Sequence, residues 1–214
     1  MSGPLGGLQP ADNGSVADWV FGSLHPFERF DVGMVIPPGF AAYCCLLHSD
    51  HIPEGEVPYG VRVEDVRSLA GVLNSGTSTP DRCWFCLWSG WGWLHVSAGS
   101  IAPVGGEPSG WRDPLIEVEQ FAASAQLVGT LVRQYHLFSG PVEAVEDTSL
   151  PWFSHELPNL WWPDDRAWIV ATEIDLSWTY VGGASEVIDQ TIEAWRFDGW
   201  HVGTDDPIRW DQID

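Results

Sequence analysis

The chain reads as an α+β domain, a mainly antiparallel central sheet with about three packed helices. Three observations predict this. Segments of strand period and helix period alternate without a regular strand–helix–strand rhythm, which argues against a parallel α/β sheet. Apolar runs such as Phe40 to Leu47 have strand length and no polar side, as buried strands do. Hydrophobic residues make up 44% of 214 residues, enough to bury the core of one domain.

The elements follow in order. Residues 1–14 are rich in Gly, Pro and polar residues and read as a flexible tail, which leaves 15–214 as a single α+β domain. Trp19, Val20, Phe21 and Leu24 suggest a short helix before a turn at His25-Pro26, and Arg29 to Ile36 suggests a strand stopped by Pro37-Pro38-Gly39. Phe40 to Leu47 is the first buried strand, and 50–59 is a loop. Glu64-Asp65 open a helix with carboxylates in its first turn, where the macrodipole favours them. Val66, Leu69, Ala70 and Leu73 then share one helical face, and Asn74-Ser75-Gly76 ends it.

Arg82 to Trp88 reads as an aromatic strand, with a tight connection into Leu94-His95-Val96. Residues 97–114 form a long Gly/Pro loop. The strongest helical pattern runs from Glu117 to Val132, with Phe121, Ala125, Val128 and Val132 on one face. Tyr135 to Phe138 is strand-like, and 143–159 is acidic and reads as a loop or partial strand. Ala167 to Asp175 carries apolar residues on both faces, which predicts a central strand. Leu176-Ser177 turns it into a partner, Trp178 to Val181. A last helix follows Gly182-Gly183 with Ser185 as its cap and Ile188, Ile192 and Trp195 as its inner stripe. Beyond Arg196 the chain reads as irregular or strand-like.

Charge narrows the function classes. Asp and Glu number 30 against 9 basic residues, all of them Arg, for a formal net charge of -21. That field repels phosphate backbones and anionic lipid, so neither nucleic acid nor a membrane is an expected partner. It suits a protein partner with a basic surface. No run approaches the ~18 apolar residues of a membrane span, and the first residues lack the basic and apolar parts of a signal peptide. A reducing cytoplasm is the expected location.

Few motifs carry chemistry. Cys83-Trp-Phe-Cys86 has the spacing of a zinc or redox pair, with Cys44-Cys45, His48 and His51 upstream. On strands, however, Cys83 and Cys86 point to opposite faces, as do Cys44 and Cys45. Buried inert thiols are therefore expected, with no metal and no cofactor. Glu173 and Asp175 share one strand face and are candidates for general acid–base work, or for capping the end of a central strand. His155 lies near Trp152 and Trp161-Trp162 and is a third catalytic candidate. No phosphate loop, dinucleotide fingerprint or nucleophile elbow is present in the sequence.

Leu160 to Gly183 holds four of the 14 tryptophans, one arginine and four carboxylates. Trp161, Trp162, Asp164, Asp165 and Arg166 form the candidate binding surface, two adjacent aromatics ahead of a charged Pro-Asp-Asp-Arg turn.

Leu-Trp-Trp-Pro-Asp-Asp-Arg-Ala-Trp-Ile-Val-Ala-Thr-Glu-Ile-Asp with Tyr-Val-Gly-Gly resembles the signature of an uncharacterised family from high-GC actinobacteria. Pro38 to Tyr43 with Leu46-Leu47-His48, and Cys83 to Trp88 with Gly90-Trp-Gly, are similar to two further stretches of it. The likeness spans roughly residues 30–214. It implies no activity and transfers no catalytic residue. It implies that Cys44, Cys45 and Cys86 lie outside the family pattern, and that the absence of Lys reflects genome composition.

Three readings follow. The first is a non-enzymatic binding module, of a regulatory or immunity type, that contacts a partner through the Trp161–Arg166 turn. The second is an enzyme that uses Glu173, Asp175 or His155 on a cationic or polar substrate. The third makes the Trp-rich motif the core of the fold, with function elsewhere; it predicts near-complete burial of Trp161, Trp162 and Trp168.

Overall fold

The computed structural model describes residues 4–48, 61–91, 114–131, 133–148, 157–174 and 176–208. Nine strands form one sheet in which every pairing is antiparallel: β1 (Gln9–Pro10), β2 (Ala42–Leu47), β3 (Cys83–Trp88), β4 (Leu127–Gly129), β5 (Gln134–Gly140), β6 (Leu160–Pro163), β7 (Trp168–Thr172), β8 (Trp178–Gly183) and β9 (Gly199–Val202). The order across the sheet is β1-β5-β3-β6-β7-β8-β2-β9, with β4 also on β5. The α+β class with an antiparallel sheet therefore holds. The helices exceed the three expected: α1 (Asp18–Phe21), α2 (Val63–Asn74), α3 (Pro114–Ala123) and α4 (Ser185–Ala194) are joined by several 3-10 segments.

Strand alternation sends side chains to two faces, and both are covered. On one face Cys44, Leu46, Cys83, Phe85, Phe138, Trp161, Trp168, Val170 and Val181 pack under the apolar stripes of α2, α3 and α4. On the other, Cys45, Cys86, Leu137, Leu160, Trp162, Ile169, Ala171 and Tyr180 lie under the irregular segment from Ala11 to Ile36. A sheet buried on both faces needs strands without a polar side, which is the pattern of Phe40–Leu47 and of β7.

The centre is the β6–β7–β8 meander. Trp161 pairs with Val170 across β6 and β7, and Val170 with Val181 across β7 and β8. Trp161 stands edge-on to Trp168 with ring centroids 5.1 Å apart, and stacks on Phe85 of β3 at 6.3 Å. The indole N–H of Trp168 donates to the C=O of Leu73 at 2.8 Å, which fixes the end of α2 to the sheet. That bond satisfies a buried indole, on a carbonyl that also accepts the Gly76 N–H at 2.9 Å.

Several expectations need correction. Residues 1–14 are not a free tail where they are described: Leu5 and Leu8 are wholly buried, and Gln9–Pro10 pair with β5. Arg29 to Ile36 is no strand but two 3-10 turns, Phe27–Arg29 and Val32–Met34. The helix expected over Glu117–Val132 stops at Ala123, and Leu127–Gly129 pairs with β5 as β4. The cap of α4 is Ala184, with extended backbone and no side-chain bond, and Ser185 is the first helical residue. The segment expected as a loop or partial strand over 143–159 begins instead within a 3-10 helix, Val142–Thr148. The expectations for 50–59, 94–96 and 97–113 lie outside the described residues.

The aromatic packing yields a direct expectation. Trp161→Ala empties the junction of β3, β6 and β7 and removes about 3–5 kcal/mol of stability. Urea unfolding followed by circular dichroism measures it, and a loss under ~1 kcal/mol would remove Trp161 from the centre of the core.

Candidate functional site

The structure separates the five residues of the expected binding surface. Trp161 and Trp162 are each 1% exposed, one on either face of the sheet. Neither indole is available to a partner, so the expectation that they form the contact is corrected. The reason is alternation: adjacent strand residues point to opposite faces, and here both faces are covered. Near-complete burial of Trp161, Trp162 and Trp168 is what the core reading of the motif required.

The turn after them is braced from within. Asp164 accepts from the Trp84 indole and from Arg82, each at 3.1 Å. Asp165 accepts from the Thr77 hydroxyl at 2.8 Å, from the Ser78 N–H and hydroxyl at 2.8 and 2.7 Å, and from the Ala167 N–H at 3.1 Å. Burial works to raise the Asp165 carboxyl, but these donors outweigh it and hold the group below its ordinary value. Arg166 adopts the left-handed region (φ 56) and lays its guanidinium 5.2 Å from the centroid of the Trp19 ring. Trp19 in turn stands edge-on to Trp162 at 5.9 Å. The charged turn therefore ties β6–β7 to the 77–84 segment and to the N-terminal layer.

Glu173 closes the end of β7. It forms an ion pair with Arg133 and accepts from the Ile174 N–H at 2.6 Å. Arg133 also bonds the Tyr135 hydroxyl, whose pKa burial pushes up to about 12 against the pull of that cation. Glu173 is thus matched to a guanidinium, the arrangement of a strand-end brace. The other two catalytic candidates, Asp175 and His155, lie outside the described residues.

All four cysteines are buried and free, with Cys44 and Cys83 on one face and Cys45 and Cys86 on the other. Burial raises every thiol, Cys44 and Cys83 to about 12. Inert packing is the chemistry these values allow.

Beside this core the structure assembles a constellation absent from the sequence expectations. The loop around Phe27–Arg29 and Val32–Met34 is bonded to the turn after β9. Val32 N–H donates to the Asp206 C=O at 2.9 Å, Gly33 N–H to Thr204 at 2.7 Å, and Ile208 N–H to Phe30 at 3.0 Å. His25 Nδ1 lies 2.9 and 3.0 Å from the two oxygens of Asp31, a buried carboxylate. Arg29 bridges Asp31 (2.6 Å) and Asp205 (2.5 Å). Gly33 is required here, since a Cβ would meet the His25 ring at 2.3 Å. Ligand atoms of His25, Asp31 and Asp205 lie within 4.8 Å of one another, a grouping that could hold a metal ion. Arg29 already spans both carboxylates and supplies that positive charge.

This network holds two large aromatics in water. Phe27 is 57% exposed and Phe30 48%, with ring centroids 5.3 Å apart. Phe30 sits at φ 49, a conformation that non-glycine residues avoid. On β9, Trp200 is a third exposed aromatic at 41%, and His201 Nε2 lies 3.0 Å from Asp189 of α4. The run Phe27-Glu-Arg-Phe30 was the available signal: aromatics flanking charges fit neither strand nor helix burial. Its long-range partners Asp205 and Asp206 left no mark in the sequence.

No protein-family model, no curated protein and no solved structure matches the chain.

One further buried group bears on pH. His48 Nε2 lies 3.0 Å from the Thr179 hydroxyl, itself 2.8 Å from that of Thr172, and His48 Nδ1 has no partner. Burial pushes the His48 pKa down to about 3, so the imidazole folds neutral. The unfolded chain protonates near pH 6.5 and the folded one does not, so this stability is full above pH 6.5 and is lost as pH falls toward 3. His48→Gln should flatten the unfolding free energy over that window, by roughly 4 kcal/mol at its acid end. Parallel pH dependence in the wild type and the variant would refute it. Asp165→Ala should lower the thermal midpoint by several degrees, about 2 kcal/mol, through the N–H and hydroxyl donors it strands. An unchanged midpoint in a thermal melt would show the turn to be braced by other contacts.

Proposed function

We propose that this chain is a non-enzymatic module that binds a protein with a basic surface, through the Phe27–Phe30 loop rather than the Trp161–Trp162 pair. The observation that carries this is an exposed aromatic pair held in place by an ion network centred on the buried Asp31. Phe30 keeps a left-handed backbone, and Asp31, buried beneath it, meets both His25 and Arg29. An aromatic pair that only filled space would fold inward, and its exposure costs apolar hydration. Rigid aromatic anchors with a charged rim are the composition of a binding hot spot. Glu28, Asp205 and Asp206 stand exposed around it, in a chain of net charge -21. The rim therefore selects a cationic partner and speeds its approach. Glu173, matched to Arg133, adds no support for the enzymatic alternative. The module would work in the cytoplasm, where four free thiols stay reduced.

Selection of a displayed random-peptide library on the immobilised protein tests this. The expected result is enrichment of Lys/Arg-bearing sequences whose binding falls with salt. Phe27→Ser combined with Phe30→Asn, the latter suited to a left-handed backbone, should weaken them at least tenfold while leaving the thermal midpoint within a degree or two. Enrichment without basic residues, or binding indifferent to the double substitution, would refute the proposal.

A further inference from the structure

Among the described residues the last strand of the sheet presents a free edge, and its surroundings specify what can fill it. β9 ends the strand order beyond β2. Leu47 N–H donates to the Asp198 C=O at 2.9 Å, and Trp200 and Val202 stand opposite Cys45 and Tyr43. Antiparallel ladders alternate, so Asp198, Trp200 and Val202 turn their backbone groups toward β2, while Gly199 and His201 turn theirs away. The next outward N–H, that of Gly203, is already taken by the Asp206 carboxylate at 2.8 Å. Gly199 and His201 thus offer two donors and two acceptors, in register for one more strand. Edge strands in water are ordinarily blunted by a cover, a proline or a bulge. The opposite edge carries Pro10 in β1; among the described residues β9 carries no such device.

Charge identifies the occupant. From Ala184 to Ile208 the chain carries Glu186, Asp189, Glu193, Asp198, Asp205 and Asp206 against a single basic residue other than histidine, Arg196. Arg196 is committed to Asp65 at 3.4 Å and lies over the Phe197 ring at 4.4 Å. A second copy of this chain, edge to edge, would set the same carboxylates against themselves. A strand bearing arginine or lysine would instead meet negative charge from α4 on one side and from the 203–206 turn on the other. Trp200, exposed on the edge strand itself, adds a ring face for a cation. The turn that ends β9 is bonded to the Phe27–Phe30 loop through Asp205 to Arg29 and through Ile208 to Phe30, and to Val32 and Gly33 just after it, so edge and aromatics are continuous.

We propose that the basic partner docks by β-augmentation: an extended, arginine- or lysine-rich segment adds antiparallel or parallel to β9, pairing with the backbone of Gly199 and His201. This rests on the binding function proposed above and names its mode and the class of segment recognised. Main-chain pairing would supply affinity and alternate side chains the selectivity.

The test uses the full chain and a capped synthetic heptapeptide alternating arginine with valine, followed by NMR titration and amide exchange. In the free protein the Gly199 and His201 amides should exchange rapidly; with peptide they should shift and slow at least tenfold. His201→Pro removes one outward N–H while sparing the ladder to β2, an edge position where proline is tolerated. It should weaken the peptide at least tenfold, whereas His201→Ala, which keeps the N–H, should bind nearly as the wild type does. Amides already protected in the free chain, absence of binding, or equal affinity for His201→Pro and His201→Ala would each overturn the proposal. The two proposals fail differently. If Phe27→Ser with Phe30→Asn abolishes binding and His201→Pro does not, the edge mode falls and the binding function stands. If neither substitution matters, both fall.

Discussion

Everything in this fold is arranged around the contact of Trp161 with Trp168. Two indoles set edge-on at 5.1 Å fill the middle of one sheet face, and each is tied to a different part of the chain. Trp161 stacks on Phe85, which brings in β3 from a sequence distance of more than seventy residues. Trp168 donates to Leu73, which brings in α2. Burying such rings yields several kcal/mol each, but only if the indole N–H is satisfied. The Leu73 carbonyl satisfies it, and that bond ties the last turn of α2 to the sheet. The second face repeats the scheme with Trp162, Trp19 and Arg166, so one β-hairpin packs into both layers.

That constraint explains why the adjacent pair Trp161-Trp162 is not available for binding. Trp161 and Trp162 look like a surface pair because two adjacent large rings exceed what a one-sided sheet can bury. A sheet covered on both faces takes one ring on each. The necessary clue was already present in β7, where Trp168, Val170 and Thr172 alternate with Ile169 and Ala171, leaving no polar face. Applied to β7 the alternation rule placed the strand correctly; applied equally to β6 it would have removed Trp161 and Trp162 from the candidate surface.

Local pattern was legible wherever tertiary pairing agreed with it. The stripe Val66, Leu69, Ala70, Leu73 became α2, and the turn at Leu176-Ser177 joined two paired strands. It failed where a distant segment outbid it. Phe121, Ala125, Val128 and Val132 have helical spacing, yet the helix ends at Ala123. There Gln126 N–H is taken by Ala11 and its C=O by Leu137, which commits the chain to β4. Leu5 and Leu8 sit in a Gly/Pro-rich stretch of tail-like composition, and their burial follows from a pairing with β5 that composition cannot express. Glu173 and the Asp164–Asp165 turn were visible as charged, but not as braces, because Arg133, Thr77 and Ser78 lie far away in sequence. The Phe27–Phe30 loop was hidden for the same reason: Asp205 and Asp206, which hold it, follow it by more than 170 residues.

The charge of the chain takes on a specific meaning at β9. A net charge of -21 by itself says little, since genome composition alone can produce it. At an exposed edge the same charge has two consequences of opposite sign. Edges template self-association, and here two edges brought together would each bring Asp189, Asp198 and Asp206, so like-charge repulsion replaces the missing proline or bulge. For a basic strand that repulsion becomes attraction, across a ladder whose hydrogen bonds are indifferent to side-chain identity. Acidity at β9 thus opposes the pairing that would aggregate the protein; on the proposed reading it favours pairing with a cationic strand, to which the exposed Trp200, Phe27 and Phe30 would add apolar contacts that charge alone cannot supply.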